Sequence, residues 1–144
     1  MEILIRGDQV YDLEHARLKE LAQFILEQEG SPGDTELSIA LVSGEEMAEL
    51  NEKYLGRKGP TDVLSFFMGE QTEEAYILGD VIICPDEAMR RREQYEVEPG
   101  EEALLVMAHG ILHLMGYDDE DEKANLEMDT RQRTLLKEWE ELKR

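Results

Sequence analysis

The run Ala108-His109-Gly110-Ile111-Leu112-His113-Leu114-Met115-Gly116-Tyr117-Asp118-Asp119 places the tightest condition on any fold this chain adopts. Apart from its histidines it reads as buried helix, so two imidazoles have to be satisfied inside a core or presented from it. Side chains at i and i+4 share a helical face, with Cβ atoms about 5–6 Å apart. His109 and His113 can therefore reach one metal ion. Gly116 ends the helix, because glycine readily takes the left-handed conformation common at helix C-termini. The turn behind it brings Asp118 or Asp119 back toward the imidazoles as a third ligand. Two nitrogens, a carboxylate oxygen and an open position describe a catalytic zinc site. A lone histidine on an apolar face is ordinarily a satisfied core residue. The i,i+4 pair, the glycine stop and the acidic pair together favour the metal.

Position 110 narrows the chemistry. A zinc protease of the H-E-x-x-H type carries its general base directly after the first histidine, and here that residue is Gly110. A metalloprotease is therefore disfavoured. His15, in a charge-rich N-terminal segment, reads as a surface residue.

The rest of the chain supplies a sheet and its helices. Residues 2–6 read as a strand. Over 13–28 the residues Leu18, Leu21, Ala22, Ile25 and Leu26 recur at helical spacing until Gly30 and Pro32 stop them. A second strand follows at 37–42. Ser43 and Glu46 then have capping-box spacing, opening a helix with Met47, Leu50 and Tyr54 on one face. Strands are expected at 62–68 and 77–84. The latter is almost continuously apolar, as suits a strand covered on both faces. Asp80 within it then calls for a sheet edge or a specific hydrogen bond. Pro85 and Pro99 suit the first turns of helices, the second of which carries the histidines. A last helix over 121–143 has a stripe of Ala124, Met128, Leu135, Trp139 and Leu142, and its acidic start complements the helix dipole. The expectation is an α+β fold. It has one domain spanning 1–144, a mostly four-stranded mixed sheet packed by about five helices, and a metal site on a helix and its following turn.

Composition bears on compartment and partners. No run of eighteen apolar residues and no charged-then-apolar leader is present, which argues against a membrane span or secretion. Cys84 is the sole cysteine, so no intramolecular disulfide forms and a reducing cytoplasm is consistent. Thirty-five acidic residues against fifteen basic ones leave a net charge of −20, which repels polyanions at long range. Basic residues are grouped at Arg57-Lys58 and Arg90-Arg91-Arg92. Either is a candidate attractor for phosphate, although the triple arginine reads better as a solvated helix face.

The histidine motif resembles the signature H-G-x-L-H-L-x-G-Y-D-H of the YbeY family, matched by His109 through Asp118. Pro60-Thr61-Asp62-Val63-Leu64-Ser65-Phe66 and Leu78-Gly79-Asp80-Val81-Ile82-Ile83-Cys84-Pro85 resemble further family blocks. Leu50-Asn51 and the Met128…Gln132…Leu135 pattern are weaker matches, and the likeness spans about 36–140 in order. That family comprises bacterial rRNA maturation factors described as metal-dependent, single-strand-specific endoribonucleases. The resemblance implies a zinc-dependent phosphodiester hydrolase with one Zn²⁺ per chain. It also implies single-stranded RNA, an rRNA precursor, as substrate, a cytoplasmic location and a role in ribosome quality control, while the acidic surface suits basic ribosomal proteins as further partners. It places the Thr61-Asp62 and Gly79-Asp80 segments near the cleft.

Two departures matter. The family's third ligand is a histidine where this chain has Asp119, so the implied metal set is His109, His113 and Asp119. Two imidazoles and a carboxylate leave the ion with one residual positive charge, where three imidazoles leave two. Slower turnover near neutrality, rising toward alkaline pH, is expected. The family's arginine after the second helix's aromatic is replaced by Leu55, and Arg57 is the candidate catalytic residue that neutralises phosphate oxygens instead. These departures and the acidic surface also support a competing reading, a non-catalytic ribosome-assembly factor with a structural or weakened metal site. Because salt relieves repulsion as well as releasing counterions, a shallow salt dependence of RNA affinity is expected.

Overall fold

The computed structural model describes residues 1–143. The chain runs β1 (Glu2–Arg6), α1 (His15–Gln28), β2 (Thr35–Leu41), α2 (Gly44–Leu55), β3 (Val63–Gln71), β4 (Tyr76–Ile83), α3 (Pro85–Arg90), α4 (Arg92–Tyr95), α5 (Glu102–Leu114) and α6 (Glu122–Leu142). The fold is α+β with a mixed four-stranded sheet, as expected. It has six helices because the segment after Pro85 breaks at Arg91, leaving α4 as a single turn.

Strand order is β1-β2-β4-β3. β1, β2 and β4 are mutually parallel neighbours and β3 returns antiparallel to β4. Alternation along β2 aims Thr35, Leu37, Ile39 and Leu41 inward. Leu37, Ile39 and Leu41 there join one core with α1 and α5, and α6 lies over α5 and α1 as an outer layer. α5 is apolar around nearly its whole circumference, which makes it the buried central helix. Of its thirteen residues only His109 and His113 escape full burial.

Four expectations are corrected. β4 is fully covered on one face, where Leu78, Val81 and Ile83 are buried, and only partly on the other, where Asp80 and Ile82 are half-buried beneath α2. That far face is closed only in part, by a small cluster of Met47, Leu64 and Cys84. Asp80 therefore sits in an interior strand, beside Ser38 and Phe66 on its neighbours, and needs neither an edge nor a special partner. Pro99 precedes α5 instead of opening it. The Glu101 N–H donates to Glu98 O at 3.0 Å, so proline occupies the second position of a β-turn, where its fixed φ is equally suited. Leu142 is 72% exposed because the last turn of α6 runs beyond the core.

The capping at α2 follows the sequence closely. Ser43 Oγ accepts the Glu46 N–H at 3.1 Å, and Met47 is buried. Tyr54, farther along that face, is exposed and meets Phe66 edge-on with ring centroids 5.2 Å apart.

Candidate metal centre

The histidines are positioned by how closely α5 approaches the sheet. A Cβ on Gly110 would stand 2.7 Å from Val81 Cγ1, 2.9 Å from Val63 Cγ2 and 3.2 Å from Ser65 Oγ. Only a residue without a side chain permits this spacing. Ser65 Oγ then donates to Gly110 O at 2.9 Å, tying β3 to the helix. This gives the missing protease glutamate a structural reason: position 110 faces the sheet, where a carboxylate has no room.

One turn later the helix stops in a Schellman arrangement. The Tyr117 N–H donates to Leu112 O at 3.0 Å and the Gly116 N–H to His113 O at 3.2 Å, with Gly116 at φ 103°. The reversal carries Asp119 back over the helix end, placing its Oδ2 3.8 Å from His113 Nε2. Asp118 is used differently, accepting the Glu120 N–H at 3.2 Å within the turn. One potential ligand atom from each of His109, His113 and Asp119 lies within 4.8 Å of the others. Tetrahedral zinc with bonds near 2.0–2.1 Å holds its ligands roughly 3.3 Å apart. Small side-chain movements bring three groups at these separations into such a set.

The protonation pattern suits a cation. Gln132 Oε1 lies 2.8 Å from His109 Nδ1, while the Gln132 amide nitrogen donates to Asp129 Oδ1 at 3.1 Å. Asp129 in turn accepts from Arg133 Nε at 3.1 Å. With the amide nitrogen committed, its oxygen faces the imidazole, so His109 Nδ1 carries the proton and Nε2 keeps its lone pair. This is the outer-shell orientation that metal-binding histidines commonly show. His113 is held below the ordinary histidine pKa, first by burial and second by the neighbouring His109. Asp119, a backbone hydrogen bond at Tyr117 and Asp118 oppose the shift. The neutral ligand form is favoured. Donor chemistry, tautomer and spacing all fit a divalent cation of the zinc type.

The three residues lie in a cleft of about 430 Å³, lined also by Leu55, Arg57, Thr61, Asp62, Phe66 and Phe67. Arg57 and the matched position Leu55 thus share the histidine cleft, as do Thr61 and Asp62, whereas Gly79 and Asp80 do not line it. Asp62 is itself engaged by the Tyr95 hydroxyl, which with burial raises the tyrosine's pKa. The triple arginine is engaged by neighbouring carboxylates. Arg90 pairs with Glu87 at 3.0 Å, Arg91 with Glu87 at 3.1 Å and Asp62 at 3.6 Å, and Arg92 approaches Glu102 at 3.8 Å. His15 is a surface residue as expected, beside Asp8 at 3.1 Å. Gln132 escaped the functional reading of the sequence. Its signal was a polar residue one turn after Met128 in an otherwise apolar stripe, a buried amide in need of a partner.

The family described as Endoribonuclease YbeY matches residues 5–140. Endoribonuclease YbeY of Thermobifida fusca is 39% identical over 146 residues, covering 96% of this chain and 94% of that protein. Its Mycolicibacterium smegmatis namesake is 33% identical over 148 residues, covering 96% and 83%. Among solved structures, that of TM1509 from Thermotoga maritima aligns at TM-score 0.63 with 34% identity, covering 95% of this chain and 88% of its own.

Proposed function

Because this chain belongs to the YbeY family of endoribonucleases, we propose that residues 1–144 form a single zinc-dependent domain that cleaves single-stranded RNA internally, in maturation and quality control of ribosomal RNA. The observation that carries this reading is the convergence of His109, His113 and Asp119 at the floor of an open cleft with Arg57 in its wall. His109, His113 and Asp119 would hold the zinc ion, which would supply Lewis acidity toward a phosphoryl oxygen and a bound water. The protein's own residues do the rest. Gln132 keeps the His109 proton on Nδ1 and turns Nε2 toward the cleft. The low basicity of His113 keeps its lone pair available near neutral pH. Arg57 binds the phosphate oxygens through its guanidinium and offsets charge that builds there as the phosphodiester bond breaks.

The wider assignment rests on charge and composition. An exterior with net charge −20 suits docking on basic ribosomal proteins. No helix among the described residues is long and apolar enough to cross a membrane. Cys84 is free and buried, in keeping with a reducing cytoplasm.

Elemental mass spectrometry of protein gel-filtered in metal-free buffer, paired with cleavage of an unstructured RNA, tests the proposal. About one zinc per chain is expected in the wild type. His113→Ala should keep the fold by circular dichroism while losing both metal and cleavage. A folded, metal-free His113→Ala protein that cuts RNA at the wild-type rate refutes the assigned centre. Wild type that holds metal yet leaves RNA intact turns the assignment toward the non-catalytic assembly factor.

A further inference from the structure

Next to the metal cleft lies a second pocket of about 360 Å³, bounded by Asn51, Leu55, Arg57, Lys58, Thr61 and Arg91. The two compartments share Leu55, Arg57 and Thr61 and therefore adjoin. In a protein of net charge −20 this lining is conspicuously basic. Arg91 is neutralised by Glu87 and Asp62. Arg57 and Lys58 have no ion-pair partner among the described residues, which leaves two uncompensated positive charges in one concavity.

The loop that carries them is held in place. α2 ends at Leu55 on a left-handed Gly56, whose N–H donates to Glu52 O at 3.0 Å. The Arg57 N–H donates to Asn51 O at 3.4 Å. From the other side Asn51 Nδ2 donates to Gly59 O at 2.9 Å. Both ends of the Arg57-Lys58 pair are therefore tied to one residue that is only 4% exposed. Asn51 Oδ1 is left without a hydrogen-bond partner among the described residues, a cost tolerated where the amide's other atom holds this loop.

We infer that this pocket is a second backbone-phosphate subsite: Lys58, with Arg57 shared between the compartments, holds the RNA phosphate flanking the one at the metal centre. The inference rests on the endoribonuclease reading and extends it to how the strand is placed. A local cationic concavity counters the long-range repulsion of an acidic protein. Phosphate contacts set register, so this subsite selects which linkage meets the metal.

The test is fluorescence-anisotropy binding of a labelled, unstructured RNA oligonucleotide to the full chain in excess chelator, where cleavage plays no part. Each linkage is replaced in turn by an uncharged methylphosphonate. In wild type, one such replacement should weaken binding about fivefold, the range of an exposed ion pair. Lys58→Gln should weaken the unmodified RNA by a similar factor and abolish the effect of that one linkage, and Lys58→Arg should restore it. The slope of log affinity against log salt should fall by about 0.7 in Lys58→Gln, the share of one phosphate on a single strand. An identical linkage profile in wild type and Lys58→Gln overturns the subsite, as does a wild type that binds no RNA. A Lys58-dependent linkage in a protein that never cleaves when loaded with zinc leaves the subsite standing and sinks the endoribonuclease reading instead.

Discussion

The two sides of the candidate centre are built from opposite kinds of structure. The imidazoles project from α5, a helix buried along almost its whole length and pressed against β3 and β4 at Gly110. Asp119 and Arg57 come from the turns just beyond the C-termini of α5 and α2, and both are exposed. The Asp119 side chain is 53% exposed against 29% for His113. Both departures from the family signature, Asp119 and Leu55, fall on the exposed side, and none falls among the helical residues of the motif. A buried ligand is fixed by many partners at once, so changing it disturbs the core. An exposed one is set by a local turn and can change its charge while the fold stays as it is.

The largest expected effect strikes the buried side. Gln132→Leu removes the acceptor that fixes the His109 tautomer and should weaken zinc binding about 10- to 100-fold, as read by competition with a chelating dye. An unaltered affinity would show that α5 packing alone orients the ring. Next is Gly110→Ala. Its methyl group meets two stiff valines and the Ser65 hydroxyl, and overpacking of about 1–3 kcal/mol should outweigh the roughly 1 kcal/mol gained in helix propensity. Urea unfolding of metal-free protein measures the difference. A neutral result would mean that the sheet yields and that the buried side is less constrained than its geometry suggests.

A smaller change is expected on the exposed side. Asp119→His restores the third imidazole of the family signature. The cleavage rate near neutrality should rise by roughly several-fold, and the rise of rate with pH should set in at lower pH. Superimposable profiles would show that the ligand's charge does not limit turnover. The smallest effect concerns His113. Its pKa lies below the ordinary 6.5 in the folded chain, so the unfolded chain binds the proton first as pH falls. Metal-free protein should lose stability below that value, and the loss should level off once the folded imidazole also protonates. His113→Gln should flatten this part of the stability curve, measured as urea midpoints at about pH 7.5 and about pH 5.5.

Legibility followed the range of the interactions involved. The Ser43 cap, the Gly116 stop and the facing of His109 and His113 depend on residues within one or two turns, so spacing and residue type disclosed them. The misreadings of β4, Pro99 and Leu142 share a cause. Each depends on what lies opposite in space: one sheet face only partly covered, a turn inserted before a helix, or a core that ends before its helix does. The triple arginine likewise looked available until Glu87, Asp62 and Glu102 came to meet it.

By itself, then, the sequence determined a helix too apolar to lie outside the core, two imidazoles on one of its faces, a glycine that reverses the chain, and an acidic residue within reach. These are local consequences of backbone geometry and periodicity. Only the tertiary structure decided that Gly110 lies against the sheet with no room for a side chain and that Gln132, 23 residues from His109, fixes its proton. It also decided that Arg57 and Lys58 stand beside the cleft without an ion-pair partner among the described residues. Those outcomes depend on which distant side chains become neighbours, and no local spacing encodes that.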